Sequence, residues 1–120
     1  MVFTHARKTT GIERCIQHCE DTHDACLELI DHCLEKGSAF AVPDAIRVLE
    51  DCSEICRTAA DFMVRDSRLH LTVCRACATI CEETARGLER LPEDDLVRRG
   101  AELVRKCSQS CEALAGVPLA

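Results

Sequence analysis

The stretch "CIQHCEDTHDACLELIDHC", Cys15 to Cys33, places cysteines at 15, 19, 26 and 33, in steps of four, seven and seven, with no proline or glycine between them. Residues three, four, seven or eleven apart share one face of an α-helix. The stretch therefore predicts a helix carrying a row of thiols, with Thr22 and Leu29 on the same face. Disulfide frameworks are not usually written in helical steps.

The pattern recurs along the chain. A second stripe runs Ala45, Leu49, Cys52, Cys56, Ala59, Met63, and a third runs His70, Cys74, Cys77, Cys81, Thr84, Leu88. A fourth runs Gly100, Val104, Cys107, Cys111, Leu114, and every one of the 11 cysteines lies on one of the four stripes.

Breaks separate the stripes. "TTGIE" offers Thr10 as the N-cap of the first helix, with Glu13 completing a capping box. "KGSAFAVPD" interrupts at Gly37, and Pro43 pre-sets the first turn of the second helix. "RDSR" is the weakest boundary, with Asp66 or Ser67 expected to cap the third. Pro92, with Glu93, Asp94 and Asp95 at the positive end of the helix dipole, opens the fourth, which fades at Gly116 and Pro118. The expected helices are about 12–35, 44–65, 67–90 and 93–115. Four helices of similar length with short connections predict an all-α, up-down-up-down four-helix bundle with a thiol-lined core.

Composition bounds the rest. A chain of 120 residues is expected to form a single domain, 1–120, with little core to spare. It has no Trp or Tyr and only Phe3, Phe40 and Phe62, so thiols must supply much of the interior. A net charge of -6 without a clustered basic surface excludes nucleic acid and anionic membrane as partners. The opening "MVFTHARKTTGIER" has no apolar run or twin arginine, and no segment approaches spanning length, so a reducing cytoplasm is expected. In that compartment cysteines more often bind metal or do redox chemistry than form disulfides.

Alternating helix directions and a rise of ~1.5 Å per residue order the thiols along the bundle. Cys15, Met63, His70 and Cys111 fall near one end, with Cys19, Cys74 and Cys107 about one turn deeper. Cys56 and Cys77 come next, followed by Cys26, Cys52 and Cys81 near the middle. Beyond them only Cys33 remains, among Leu29, Leu49, Thr84, Leu88, Leu96 and Val104. The expected object is a tube of thiols in one half of the bundle and an apolar plug in the other.

Buried cysteine can be a small hydrophobe and nothing more, but this many unligated thiols would make a loose, oxidisable core. An odd count and poorly directed Cβ vectors weigh against disulfides. "CRAC" at Cys74 to Cys77 lacks the βαβ setting of a thioredoxin-like pair. Zinc prefers closed tetrahedral sites built from separated Cys-x-x-Cys pairs, and only Cys74/Cys77 has that spacing. Iron–sulfur clusters want four thiolates converging from turns. Cu(I) is soft and accepts two or three thiolates, which pairs one helical turn apart supply. One Cu(I) per thiolate also leaves a buried tube neutral, whereas Zn(II) with four thiolates buries two negative charges. Many Cu(I) ions, held rather than turned over, match the pattern best, with a zinc-binding or purely structural cysteine-rich bundle as the competing reading.

Cys15-x-x-x-Cys19, "DCSEIC" at Cys52 to Cys56, "CRACATIC" at Cys74 to Cys81 and "CSQSC" at Cys107 to Cys111 together resemble the cysteine-rich four-helix-bundle copper storage proteins, over nearly the whole chain. The resemblance implies sequestration of many Cu(I) ions inside the bundle and a homo-oligomer, commonly a tetramer. The lack of an export signal matches the cytosolic branch. Thr84, Leu88, Gly100 and Val104 stand where longer-loaded members continue their cysteine rows, so the tube is shortened here.

The expected copper ligands are Cys15, Cys19, Cys26, Cys52, Cys56, Cys74, Cys77, Cys81, Cys107 and Cys111, with Met63 and His70 at the mouth. Copper donor or acceptor proteins are the expected macromolecular partners. His18, His23 and His32 flank the first thiol row as boundary residues, and His5 lies near the terminus. No catalytic triad, activated serine or phosphate-cradling loop is present, so no enzymatic activity is expected.

Overall fold

The computed structural model describes residues 10–116. Four helices follow in order: α1 (Thr10–Lys36), α2 (Pro43–Val64), α3 (His70–Glu89) and α4 (Asp95–Ala115), with one 3₁₀ turn (Ser38–Phe40) between the first two. Each helix packs on the next and α4 closes back onto α1, giving the ring of neighbours of an up-down-up-down bundle.

Local chemistry sets the ends. α1 includes Thr10, so any residue that caps it lies outside the described residues, as do His5, Phe3 and Pro118. Gly37, at φ 64°, turns the chain out of α1 while its N–H holds the Cys33 carbonyl at 3.0 Å. Val42 is extended, as a residue before proline prefers, and Pro43 opens α2.

The α2–α3 junction differs from the expected cap. Asp66 takes the left-handed conformation at φ 56°, with its N–H on the Met63 carbonyl (3.1 Å) and the Ser67 N–H on the Phe62 carbonyl (2.9 Å). This double bond pattern ends a helix, so Asp66 terminates α2 instead of starting α3. Ser67 Oγ then accepts from the Leu69 N–H at 3.1 Å, a local turn that delays α3 until His70. At the last junction Asp94 is extended and its carboxylate accepts from the Val97 N–H at 3.0 Å, so α4 begins at Asp95.

All six members of the first stripe are buried, as are those of the second. On α4 the interior face is Val97, Gly100, Ala101, Val104, Cys107, Ser108, Cys111 and Ala115. Leu96 and Leu114, expected inside, are only partly buried and pack against the core from its edge, because Val97 and Ala115 hold the interior positions beside them.

Polar ties fix the helices laterally. Arg105 of α4 reaches Glu82 at 3.0 Å and Glu89 at 2.7 Å on α3. His32 and Lys36 near the end of α1 both hold Asp94, each at 3.0 Å. Such contacts set helix rotation, and helix rotation decides which side chains reach the axis.

Candidate metal centre

All 11 cysteines are free, and every one is completely shielded from solvent. Their sulfurs form a chain across helices that are distant in sequence. Cys15 Sγ lies 3.5 Å from Cys111 Sγ, which is 3.8 Å from Cys19; Cys19 is 3.7 Å from Cys107, and Cys107 is 3.9 Å from Cys56. From Cys56 the chain continues to Cys77 and Cys81, both at 3.7 Å, and from Cys81 to Cys52 at 3.7 Å. Cys26 adjoins the chain through its interaction with Cys52. Cys74 joins at the other end, grouped with Cys15 and Cys111.

Within this chain three groups are tight enough to hold metal. Cys15, Cys74 and Cys111 form one; Cys19, Cys77, Cys107 and Cys111 a second; Cys56, Cys77, Cys81 and Cys107 a third, with sulfurs within 4.8 Å of one another in each. Three of the four helices contribute to the first two groups and to the third alike, so no single helix carries a complete site. The groups share Cys77, Cys107 and Cys111. The three groups therefore form one connected cluster of thiols and not a set of separate closed sites.

Proton sharing within the array is uneven. The buried thiols act strongly on one another: the neighbouring thiols, Cys111 and then Cys19, hold Cys107 below the ordinary thiol range, and Cys107 and then Cys15 push Cys111 above it. Cys74 is pushed up to about 12.

The remaining expected residues divide. Met63 is 1% exposed, two turns beyond Cys56 on α2 and part of the core. His70 opens α3 one turn outside Cys74, is half-buried, and its Nδ1 lies 2.7 Å from the Ser67 carbonyl. An Nδ1–H donated there leaves the Nε2 lone pair free. Among the described residues His70 belongs to none of the three groups in this conformation. Cys33 is also outside them, and burial first, then the charge of Asp94, pushes its thiol up.

Sequence reading missed what the flanking histidines do. His18 Nδ1 meets Ser110 Oγ at 2.7 Å, and His23 Nδ1 meets the Ser53 carbonyl at 2.8 Å. They are half-buried boundary residues that tie α1 to α4 and to α2. Their signal was position: each stands one residue off the α1 thiol face. Thr22 is the other surprise, since its hydroxyl is buried without a partner.

Comparison with known proteins bears on this array. The family model described as "Copper storage protein" matches residues 8–116. By structure the chain is similar to a protein of Nitrosospira multiformis, at 31% identity and TM-score 0.83, covering 90% of this chain and 97% of that one. It is similar to Cu(I)-bound copper storage protein Csp3 of Bacillus subtilis, at 28% identity and TM-score 0.84, covering 89% and 100%. A cytosolic copper storage protein from Streptomyces lividans, with five coppers, shares 28% identity at TM-score 0.82, covering 91% and 95%. No curated relative matches by sequence.

Proposed function

Because the chain belongs to the copper storage protein family, we propose that it binds and stores multiple Cu(I) ions on the thiolates of its bundle core. The observation that carries this reading is the continuous ten-sulfur array, with contacts of 3.5 to 4.0 Å between successive thiols along most of its length. Each Cu(I) bound by a thiol displaces one proton, leaving a neutral Cu–thiolate unit. A shielded core tolerates neutral units and rejects net charge.

Distances alone do not discriminate against zinc, because a tetrahedral zinc site with Zn–S near 2.3 Å needs sulfurs about 3.8 Å apart. Sharing does. With sulfurs held in common by successive groups, fewer than four thiolates are available per metal, which suits the two- and three-coordinate sites and single charge of Cu(I). The ligands assigned are Cys15, Cys19, Cys26, Cys52, Cys56, Cys74, Cys77, Cys81, Cys107 and Cys111, with Met63 and His70 acting at the mouth.

The role is retention, not catalysis, and the setting is the cytoplasm, where free thiols persist. Support comes from the cytosolic Streptomyces lividans relative, and no helix among the described residues is long and apolar enough to cross a membrane. Copper reaches and leaves the array through donor and acceptor proteins. We assign a homo-oligomer, with a tetramer as the expected size; Leu27 and Leu34, about half exposed and on one face of α1, support self-association.

The test is an anaerobic Cu(I) titration of the reduced full chain against a competing chelator, with zinc in parallel. Uptake of several equivalents, retained against zinc, is the expected result. Saturation at a single equivalent, or displacement of copper by zinc, would remove the storage reading.

A further inference from the structure

Thr22 interrupts the α1 thiol row between Cys19 and Cys26. Its side chain is fully buried, and Oγ1 is the one buried side-chain oxygen or nitrogen among the described residues without a hydrogen-bond partner. The other fully buried threonine, Thr84, behaves ordinarily: its hydroxyl lies 2.7 Å from the Ile80 carbonyl one turn back. Thr22 makes no such bond. An unpaired buried hydroxyl is unfavourable, and native cores rarely keep one without a use.

Its surroundings supply the use. Residues three and four positions away on a helix have Cβ atoms about 5–6 Å apart, so Cys19 and Cys26 flank the hydroxyl on the same face. Cys19 belongs to one four-thiol group and the fully buried Cys26 to none of the three, so Thr22 stands on α1 between the grouped thiols and Cys26. A protonated thiol is a weak acceptor, whereas a metal-bound thiolate carries charge and accepts a short O–H bond readily. We propose that Thr22 Oγ1–H is a positioning donor to copper-bound thiolate, unsatisfied when the tube is empty and satisfied when it is loaded. The inference rests on the storage reading above.

The consequence is a coupling with opposite signs in the two states. The hydroxyl destabilises the empty bundle and stabilises the loaded one, and both effects favour copper retention. If Thr22 served only to fill space in the row, valine, which has nearly the same shape, would act identically in both states.

Full-chain Thr22→Val and Thr22→Ser variants, reduced and kept anaerobic, distinguish these cases. Empty T22V should melt roughly 3–6 °C above wild type. Loaded to the same copper content, it should release copper to bathocuproine disulfonate roughly fivefold to tenfold faster and show a shifted Cu–thiolate ultraviolet band. T22S keeps the hydroxyl and should follow wild type in release rate and band position. If T22V matches wild type in the rate and the band, or melts lower when empty, the proposal fails while storage stands. Wild-type protein that does not take up several Cu(I) sinks the storage reading and this inference together.

Discussion

Leu29 of α1 rests on the bare Cα of Gly100 in α4: a β-carbon at residue 100 would overlap Leu29 Cδ1 and stand 3.3 Å from its Cγ. The absence of a side chain at 100 lets Leu29 reach the axis, where Leu49, Leu88 and Val104 are also fully buried. These four fill the bundle beyond the thiol groups, away from the Cys15–Cys74–Cys111 group.

Gly100→Ala tests this contact. Alanine is better than glycine in a helix by about 1 kcal/mol, but overpacking a filled core costs about 1–3 kcal/mol. A net loss of about 1 kcal/mol in denaturant unfolding of the empty protein is expected. In a Leu29→Ala background the same substitution should become stabilising, since only the helical preference remains. Stabilisation by G100A alone would mean that Leu29 gives way.

Cys33 should be separable from the other ten cysteines in copper capacity. It lies outside the three thiol groups, and burial disfavours its ionisation. Cys33→Ala should leave the titration endpoint unchanged, whereas Cys77→Ala, removing a sulfur common to two groups, should lower it by roughly one to two Cu(I). Equal losses would show that Cys33 joins the array when copper is present.

The bundle and its thiol tube were legible because one signal, cysteine at helical spacing, marked both the helices and their inward faces. Axial order was read from rise per residue alone, and the groups cut across it: Cys74, placed a turn deeper than Cys15 and Cys111, lies within 4.8 Å of both, and Cys77, placed deeper still, groups with Cys111 as well. What was not legible depended on rotation and on backbone ends. Asp66 reads as a helix starter but ends α2, because a left-handed residue was needed after Arg65 and aspartate tolerates that conformation. Val97 and not Leu96 points inward, a choice made by how α4 sits on α1 through Asp94, His32 and Lys36. Nor could spacing show that Thr22 lacks a hydrogen bond while Thr84 has one.

Asp94 gives the fold an acid limit. Its hydrogen bond from the Val97 N–H first, then from Lys36, with His32 adding to it, holds its carboxyl well below the ordinary value of 3.8. The native state therefore resists protonation more than the unfolded chain does. Its stabilisation is complete above about 3.8 and is lost as the pH falls from there toward the lower native value. Asp94→Asn keeps a capping side chain but removes the charge. Stability of this variant should lie below wild type at neutral pH, with the gap narrowing as the pH drops through that window. A gap that stays constant down to strongly acid pH would mean that the charge of Asp94 contributes nothing.

The last prediction concerns the mouth. Met63 lies two turns beyond Cys56 on α2, and His70 one turn outside Cys74 on α3, the spacing on which the proposed mouth rests. His70 donates its Nδ1–H to the Ser67 carbonyl, which orients Nε2 as the ring nitrogen that would take a Cu(I) ion in passing. The Met63 thioether is soft and uncharged, and its flexible stem allows it to follow the ion inward. Neither group adds negative charge, so neither can hold copper as firmly as a thiolate. Residues of that kind set rates more than capacity. Met63→Leu combined with His70→Ala should therefore leave the number of Cu(I) ions bound nearly unchanged while slowing both uptake and chelator extraction by roughly tenfold. Stopped-flow measurement of the two rates, beside an equilibrium titration, separates the effects. Unchanged rates would place the passage elsewhere, and a fall in capacity by two ions would make Met63 and His70 storage ligands in their own right.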